Sequence, residues 1–492
     1  MKRNGVVVIG GGLGGLAACC HLAGSGHDVT MFERSDGPGG RASQLTMNGY
    51  HFDLGPTVLT MAGILADTFA ATGTTMADHL ALRRLDPAYR AVFADGSTVH
   101  VRSGRDAMAG EIRDTCGAPE ADAFDRFCNW LTDLYEAELR PFIDRNYDSP
   151  LDLLRPPAPA LRLLRLRGFS KLDRRVRTFF TDDRLRRLFS FQALYAGLAP
   201  QRALALYAVI TYMDTVEGVF HPEGGIAEVP KALATAAEKA GAMLRYGEPV
   251  ERVVLANGTR GRVRGVRLAS GEFVAAEVVV CNAEPAVAYR TLLPSLRAPR
   301  VARAGTYSPS AVVWHAGVRG PLPRSVAHHN IHFGASWGAA FDELVDNRFM
   351  TDPSTLVSVP TVTEAALAPA NAHVLYALEP VPNLDGAVDW TVQRDRVRGA
   401  LVERLTDLGY PTKPEVELFV DPLDWERQGL ERGTPFSLAH RFTQTGPFRT
   451  KNVDGRVPGL VFVGAGTVPG VGVPMVLLSG KLAAARVDGM LS

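Results

Sequence analysis

Lasting charge imbalance, paired cysteines and long apolar runs are all missing from this chain of 492 residues. Its 53 basic and 52 acidic residues leave a net charge of +1, so whole-chain charge gives no ground for a nucleic-acid partner. Five cysteines (Cys19, Cys20, Cys116, Cys128, Cys281) form neither a CxxC pair nor a zinc spacing. They read as reduced core thiols of a cytoplasmic protein, with Cys19 and Cys20 in a first helix. The N-terminal apolar run ends at Ile9, too short for a signal peptide. Gly459 to Gly480 carries no charge, but two prolines and many glycines make it strand, turn and helix rather than a membrane span. Lysine is scarce, seven against 46 arginines, a skew that follows coding-base composition rather than function. No repeat or low-complexity tract is present.

What is there begins at Gly5. Val6-Val7-Val8-Ile9 runs into Gly10-Gly11-Gly12-Leu13-Gly14-Gly15, and a second apolar run, Val29 to Phe32, ends in Glu33. Strand, glycine turn, helix, strand and acid make the βαβ unit that grips a dinucleotide. Gly10 makes the turn, Gly12 admits the pyrophosphate, and Gly15 lets helix pack on strand. The helix start offers N–H groups and a positive dipole end to phosphate. Glu33 is placed to take the ribose hydroxyls, and it would repel the 2′-phosphate of NADP. Arg41, in Arg34-Ser35-Asp36-Gly37-Pro38-Gly39-Gly40-Arg41, can meet the pyrophosphate with a forked guanidinium or stand as a solvated turn residue.

Further along, Tyr50 to Thr57 reads as a strand closing in a Gly-Pro turn, and Tyr89 to Val101 as a hairpin turning at Asp95-Gly96. Arg105 to Met213 reads mostly helical with a loop near Pro156 to Pro159, and Glu248 to Asn282 returns to strands. Residues 305–385 read as short strands and turns, followed by an amphipathic helix near Asp389 to Leu408. Near the end, Val461-Phe462-Val463-Gly464-Ala465-Gly466 imitates a second nucleotide motif. Gly464 stands 28 residues from the C-terminus, too few for another βαβ unit. The segment therefore reads as a last strand returning to the first domain, a glycine loop, and a helix over about Val473 to Val487. The start of that helix points N–H groups at the pyrimidine edge of a flavin, which favours FAD over NAD.

These residues resemble the FAD-dependent carotenoid desaturases, the bacterial phytoene desaturases in particular, over nearly the full length. The resemblance rests on the first glycine motif with Glu33, on Gly37 to Arg41, and on Phe52-Asp53-Leu54-Gly55-Pro56-Thr57-Val58-Leu59-Thr60-Met61. Arg187 to Gly197, Gly433 to Leu438, and Val463 to Thr467 with Pro469 to Pro474 complete it. Flavin amine oxidases of the wider superfamily usually carry an acid beside the corresponding glycine, where this chain has Ala465.

The resemblance implies an α/β fold: a Rossmann-like FAD-binding domain with an inserted α+β substrate domain and a basic helical, membrane-facing part. The FAD part would come from 1–65, 215–290 and 455–492, and the substrate part from 66–214 and 291–454. It implies cofactor contacts from Gly10, Gly12, Leu13, Gly14, Gly15, Glu33, Arg34, Gly40, Arg41, Gly55, Pro56 and Thr57. Val250, Gly464, Gly466, Val473, Pro474 and Met475 complete that set. The implied reaction removes hydrogen across C–C bonds of phytoene, giving carotenes toward lycopene. Hydride would go to flavin N5 and electrons onward to a quinone or oxygen. A 3,4-desaturase, a diapophytoene desaturase, a flavin amine oxidase and a prenyl-binding escort without flavin are the competing readings.

Each desaturation also releases a proton, so a weak base is expected near the flavin. Asp53 is a candidate, its competing reading being a structural acid bonded to backbone; Glu223 reads as a turn residue. No metal is expected at His328, His329 and His332, since strand alternation scatters the rings. Between Arg155 and Arg187, ten arginines and Lys171 stand against three aspartates among leucines and phenylalanines. That region is expected to bind an anionic membrane surface peripherally through Arg162, Arg165, Arg167, Arg174 and Arg175. The alternative is a solvated helical face.

Overall fold

A computed structural model of the chain describes residues 5–258 and 261–492. The valine run forms β1 (Val6–Ile9), buried at every position. The glycine cluster opens directly into α1 (Leu13–Gly24), and β2 (Val29–Phe32) returns beside β1 with Ile9 opposite Phe32. Distant segments complete a five-stranded sheet in the order Leu460–Phe462, Val278–Cys281, β1, β2, Met243–Arg245, every pair parallel. Such strands are buried on both faces, which is why they read as unbroken apolar runs.

Alternation still decides which face each side chain covers. Val6 and Val8 join α1, the helix Glu228–Lys239 and the closing helix Val473–Leu491 in one core. Val7 and Ile9 face the other way, onto a three-stranded antiparallel sheet (Val250–Leu255, Val263–Leu268, Phe273–Ala275) and the helix Pro285–Thr291. The helix Ala62–Ala70 buries Leu65 and Phe69 in the first of these cores, so the chain leaves this body later than residue 65.

A seven-stranded mixed sheet forms the second body, in the order Pro414–Val420, Ser310–Arg319, Ala372–Val381, Thr355–Ser358, His329–His332, Tyr89–Val92, Thr98–Val101. Both long intervening stretches of sequence contribute strands to it. Its outer face is covered by the helix Trp390–Asp407 through Trp390, Val397, Leu401 and Leu405. Segment 305–385 differs from the expectation of short strands, since two of its strands run ten residues each. Ser310–Arg319 is buried at nine of ten positions, which hides the period-two pattern that would have revealed its length.

Helices fill the stretch between Arg105 and Glu217, where Phe124, Phe127, Phe180 and Phe189 pack together against the Tyr89–Val101 hairpin. The expected loop near Pro156 is already helix from Pro157, proline being well tolerated in a first turn.

Candidate functional site

Four strands of the parallel sheet end at one edge, and each is followed at once by a residue of the site: Gly10, Glu33, Asn282 and, one residue later, Gly464. In open α/β sheets ligands bind outside the carboxyl ends of the strands. Here a cavity of about 1590 Å³ begins at that edge and continues between the two bodies. Single-ligand pockets usually span about 300–1,000 Å³, so this one has room for a dinucleotide and an extended second molecule.

The cradle fits a dinucleotide on several independent counts. No side chain caps the start of α1, which leaves its first amides for a phosphate. The nineteen-residue closing helix is likewise uncapped, and Val473, Pro474 and Met475 of its first turn line the cavity. The Glu33 carboxylate, 7% exposed, accepts the amides of Gly11 (2.6 Å) and Ser35 (2.9 Å) and keeps further lone pairs toward the cavity. Gly12 and Gly14 are needed for space: a Cβ on Gly14 would stand 3.1 Å from the Gly464 amide nitrogen, where the two glycine loops touch.

Of the residues expected to contact the cofactor, Gly10, Gly12, Leu13, Gly14, Glu33, Arg34, Gly40, Arg41, Gly55, Pro56 and Thr57 line this cavity. So do Val250, Gly464, Val473, Pro474 and Met475. Two do not. Gly15 lies under the Gly10 carbonyl, which a Cβ would strike, so its work is close packing of α1 on β1. Gly466 faces Pro285 and Glu284 and serves the same purpose for the second loop. The Arg34 guanidinium donates to the Gln428 carbonyl (2.7 Å) and Arg41 to the Pro435 carbonyl (2.6 Å). Burial lowers the Arg41 pKa, and the nearby Glu284 carboxylate opposes that shift.

Asp53 is not in the lining. Its carboxylate accepts the amides of Ile226 (2.8 Å) and Ala227 (3.2 Å) ahead of the helix Glu228–Lys239, the arrangement of a structural acid bonded to backbone. Glu223 is exposed and 3.7 Å from Arg83. The three histidines of the His329–His332 region each meet a different partner: His328 faces Thr363, His329 the Thr57 carbonyl and His332 the Tyr410 hydroxyl.

Several residues of the site were not singled out from the sequence. Asn282 donates through Nδ2 to the Gly10 carbonyl (3.3 Å) and fills the gap between the two glycine loops. Its signal was its place immediately after the buried run Val278–Cys281, at the same edge as Gly10 and Glu33. Glu284 is buried, accepts the Ser437 hydroxyl (2.7 Å), and has its pKa raised by burial against the pull of Arg41 and Arg449. Two more carboxyls line the cavity beyond the cradle. Glu138, 4% exposed, has an Oε1 without a hydrogen-bond partner, and burial holds its pKa well above the carboxylate range. Asp214 is buried and accepts the Tyr89 hydroxyl (3.3 Å), and its pKa is pushed up to about 7 by that burial against the pull of Tyr89 and Gln192. Nothing in the local sequence pattern marks either one.

A strand edge of this kind, with a long cavity opening off it, suits a protein that holds a dinucleotide beside a second molecule. The family described as flavin containing amine oxidoreductase matches residues 13–488. A phytoene dehydrogenase of Streptomyces griseus is 48% identical over 98% of this chain and 95% of its own length. A zeta-carotene-forming phytoene desaturase of Myxococcus xanthus is 38% identical over 98% and 93%. Among solved structures, an oxidoreductase of Methanosarcina mazei aligns over 98% of this chain and 99% of its own, with a TM-score of 0.63 at 17% identity. Rab GDI of Plasmodium falciparum shares the fold over 99% and 98%, with a TM-score of 0.56 at 10% identity. The chain belongs to the flavin containing amine oxidoreductase family, among its phytoene desaturases, and FAD is its cofactor.

Proposed function

We propose that the protein desaturates phytoene, introducing C=C bonds toward lycopene. The observation that carries this reading is the continuity of the cavity. One cavity is lined by Gly10, Glu33 and Gly464 of the cradle, by Tyr195, Leu206, Ile210 and Phe333, and by the exposed Leu154, Phe169 and Phe442. A hydrocarbon offers no group to a hydrogen bond, so recognition falls to the length and shape of an apolar channel. Bound FAD, held by the cradle, would supply a two-electron acceptor. The chain's own part is to exclude water, to hold an allylic C–H near the cradle, and to keep N–H groups of the Val473–Leu491 helix aimed there.

The outer end supports peripheral attachment to a membrane. Leu154 (61% exposed), Leu161, Leu164, Phe169, Phe442 (49%) and Phe448 form an apolar rim, and four of the six also line the cavity. Exposed apolar area gathered around an opening marks a contact surface. The cations of the region divide into two sets. Arg162 is held by Asp133 and Glu136, each at 3.0 Å, and Arg175 stacks over Trp130 and Phe179. Arg165, Arg167 and Arg174 remain exposed and are the ones offered to anionic headgroups. No helix among the described residues is long and apolar enough to cross a bilayer. A rim set in lipid would take phytoene from the acyl phase, and the same opening admits a quinone or oxygen as electron acceptor.

The deciding experiment is expression in cells that accumulate phytoene, with chromatography of the pigments. Carotenes with longer conjugation support the reading; a flavin-loaded protein that leaves phytoene unchanged overturns it.

A further inference from the structure

A channel built for a hydrocarbon has no use for an ionisable group in its wall, and burying one without compensation is costly. Asp214 is 4% exposed and lies in that wall, on the short segment Met213–Glu217. Its position along the channel is fixed by its neighbours. Met213 packs with Met61 and Val209, against which Met475 of the closing helix also lies. The Tyr89 hydroxyl donates to Asp214 Oδ2 at 3.3 Å, and the Tyr89 ring meets that of His329, centroids 5.6 Å apart. His329 in turn holds the Thr57 carbonyl at 3.0 Å, in the wall of the cradle. Asp214 therefore stands at the inner end, where channel meets cradle, and not at the rim.

The group is also held as a base must be. Gln192 stands near enough to draw the carboxyl pKa down, its own amide fixed by the Leu188 carbonyl (3.2 Å) and the Thr211 hydroxyl (3.3 Å). Tyr195 borders the cavity, and its ring and that of Tyr89 both meet Phe191. A donor aimed at a carboxyl favours its ionised form. Glu138 differs on this point, since nothing is shown bonded to its Oε1 and its proton stays in place.

We propose that Asp214 is the proton acceptor of the reaction, positioned by Tyr89; this rests on the desaturase reading above. One sp³ carbon loses hydrogen with its bonding pair to the oxidant that bound FAD supplies. The C–H pair of the adjacent carbon becomes the new π bond, and its proton passes to the Asp214 carboxylate. The proton then returns to water past the hydroxyls of Tyr89 and Tyr195.

The test uses FAD-loaded protein and two readouts. Infrared difference spectra from pH 5 to 9 follow the protonated-carboxyl band, which is expected to fade with a midpoint near 7 and to be absent from Asp214→Asn. Tyr89 and Tyr195 are raised by burial and His329 is lowered to about 4, so none of them titrates over that range; Glu217, which burial also raises, is told apart because its signal persists in Asp214→Asn. Turnover of phytoene in liposomes is expected to fall at least 100-fold in Asp214→Asn at equal flavin content, in line with about 10²–10⁴ for a general base. Asp214→Glu is expected to recover at least a tenth of wild-type turnover.

Absence of a band belonging to Asp214, or turnover of Asp214→Asn within threefold of wild type, overturns the proposal. Should Asp214→Asn fail to take up flavin, Tyr89→Phe carries the test. Losing one donor moves both the infrared midpoint and the acid limb of the pH–rate profile upward, and an unchanged profile overturns the assignment. A wild type that converts no phytoene while showing the band refutes the substrate reading, and the band then decides for Asp214.

Discussion

Glu33 reaches back 22 positions to accept the Gly11 amide at 2.6 Å, so the acid at the end of β2 is tied to the glycine loop at the end of β1. The loop is thereby held open in the shape a dinucleotide needs, and the acid is oriented before the ligand arrives. Glu33→Gln keeps one acceptor oxygen and loses the charge. A hydrogen bond to a charged group contributes about 1.5–3 kcal/mol, so FAD affinity is expected to fall roughly 10- to 150-fold. Titration of flavin fluorescence against the apoprotein measures it, and an unchanged affinity would remove Glu33 from the cradle.

Gly15 has no direct contact with the cavity, yet its substitution is expected to abolish cofactor binding. A Cβ there strikes the Gly10 carbonyl oxygen and the loop carrying Gly10 and Gly12 must move. Gly15→Val should purify colourless; a yellow protein with wild-type flavin content would show that α1 can shift without cost to the loop.

Asp53 illustrates a structural acid in a site-like motif. Its carboxylate satisfies two backbone amides that water cannot reach well. Asp53→Ala leaves both without an acceptor, at about 1–3 kcal/mol each, and a lowered melting temperature of the holoprotein is the expected result. Turnover per bound flavin should stay near wild type. A selective loss of turnover at full stability would restore Asp53 to the chemistry.

The cradle was legible because its chemistry is local. Gly10, Gly12 and Glu33 are read from one strand–turn–helix–strand segment, and the closing helix from its own glycine loop. Asn282 and Glu284 were hidden because their role depends on which strands become neighbours. Val278–Cys281 lies between β1 and Leu460–Phe462 only after two long insertions have folded away. Asp214 was hidden for a related reason. Its partners Tyr89 and Gln192 are 125 and 22 residues away, on elements with no shared pattern. The basic region was read correctly for charge, but helix packing decides that Arg162 and Arg175 are spent on internal partners.

Membrane attachment separates the apolar rim from the charges behind it. Leu154→Ser with Leu161→Ser and Leu164→Ser removes the exposed leucines without touching the buried Leu163. Sedimentation with neutral vesicles is expected to fall for this variant. Reversing Arg165, Arg167 and Arg174 to glutamate should weaken binding to anionic vesicles at low salt, with less effect near 1 M salt where screening is short-ranged. Co-sedimentation unchanged in both variants would refute this face as the attachment surface.

Asp214 also predicts how stability depends on pH. Its folded pKa of about 7 lies above the ordinary value of 3.8, so from about pH 4 upward the unfolded chain releases a proton that the folded chain retains. The unfolded state is favoured progressively as pH rises from about 4 to 7, and the penalty is constant above that. At about 1.4 kcal/mol per pKa unit, the full effect is on the order of 4 kcal/mol. Asp214→Asn cannot ionise and escapes it. Its melting temperature is therefore expected to exceed that of wild type at pH 8, with the gap narrowing as pH falls toward 4. A gap that is absent at pH 8 would show that Asp214 is ionised in the folded state with an ordinary affinity for its proton, and one that widens in acid would show an affinity below the ordinary.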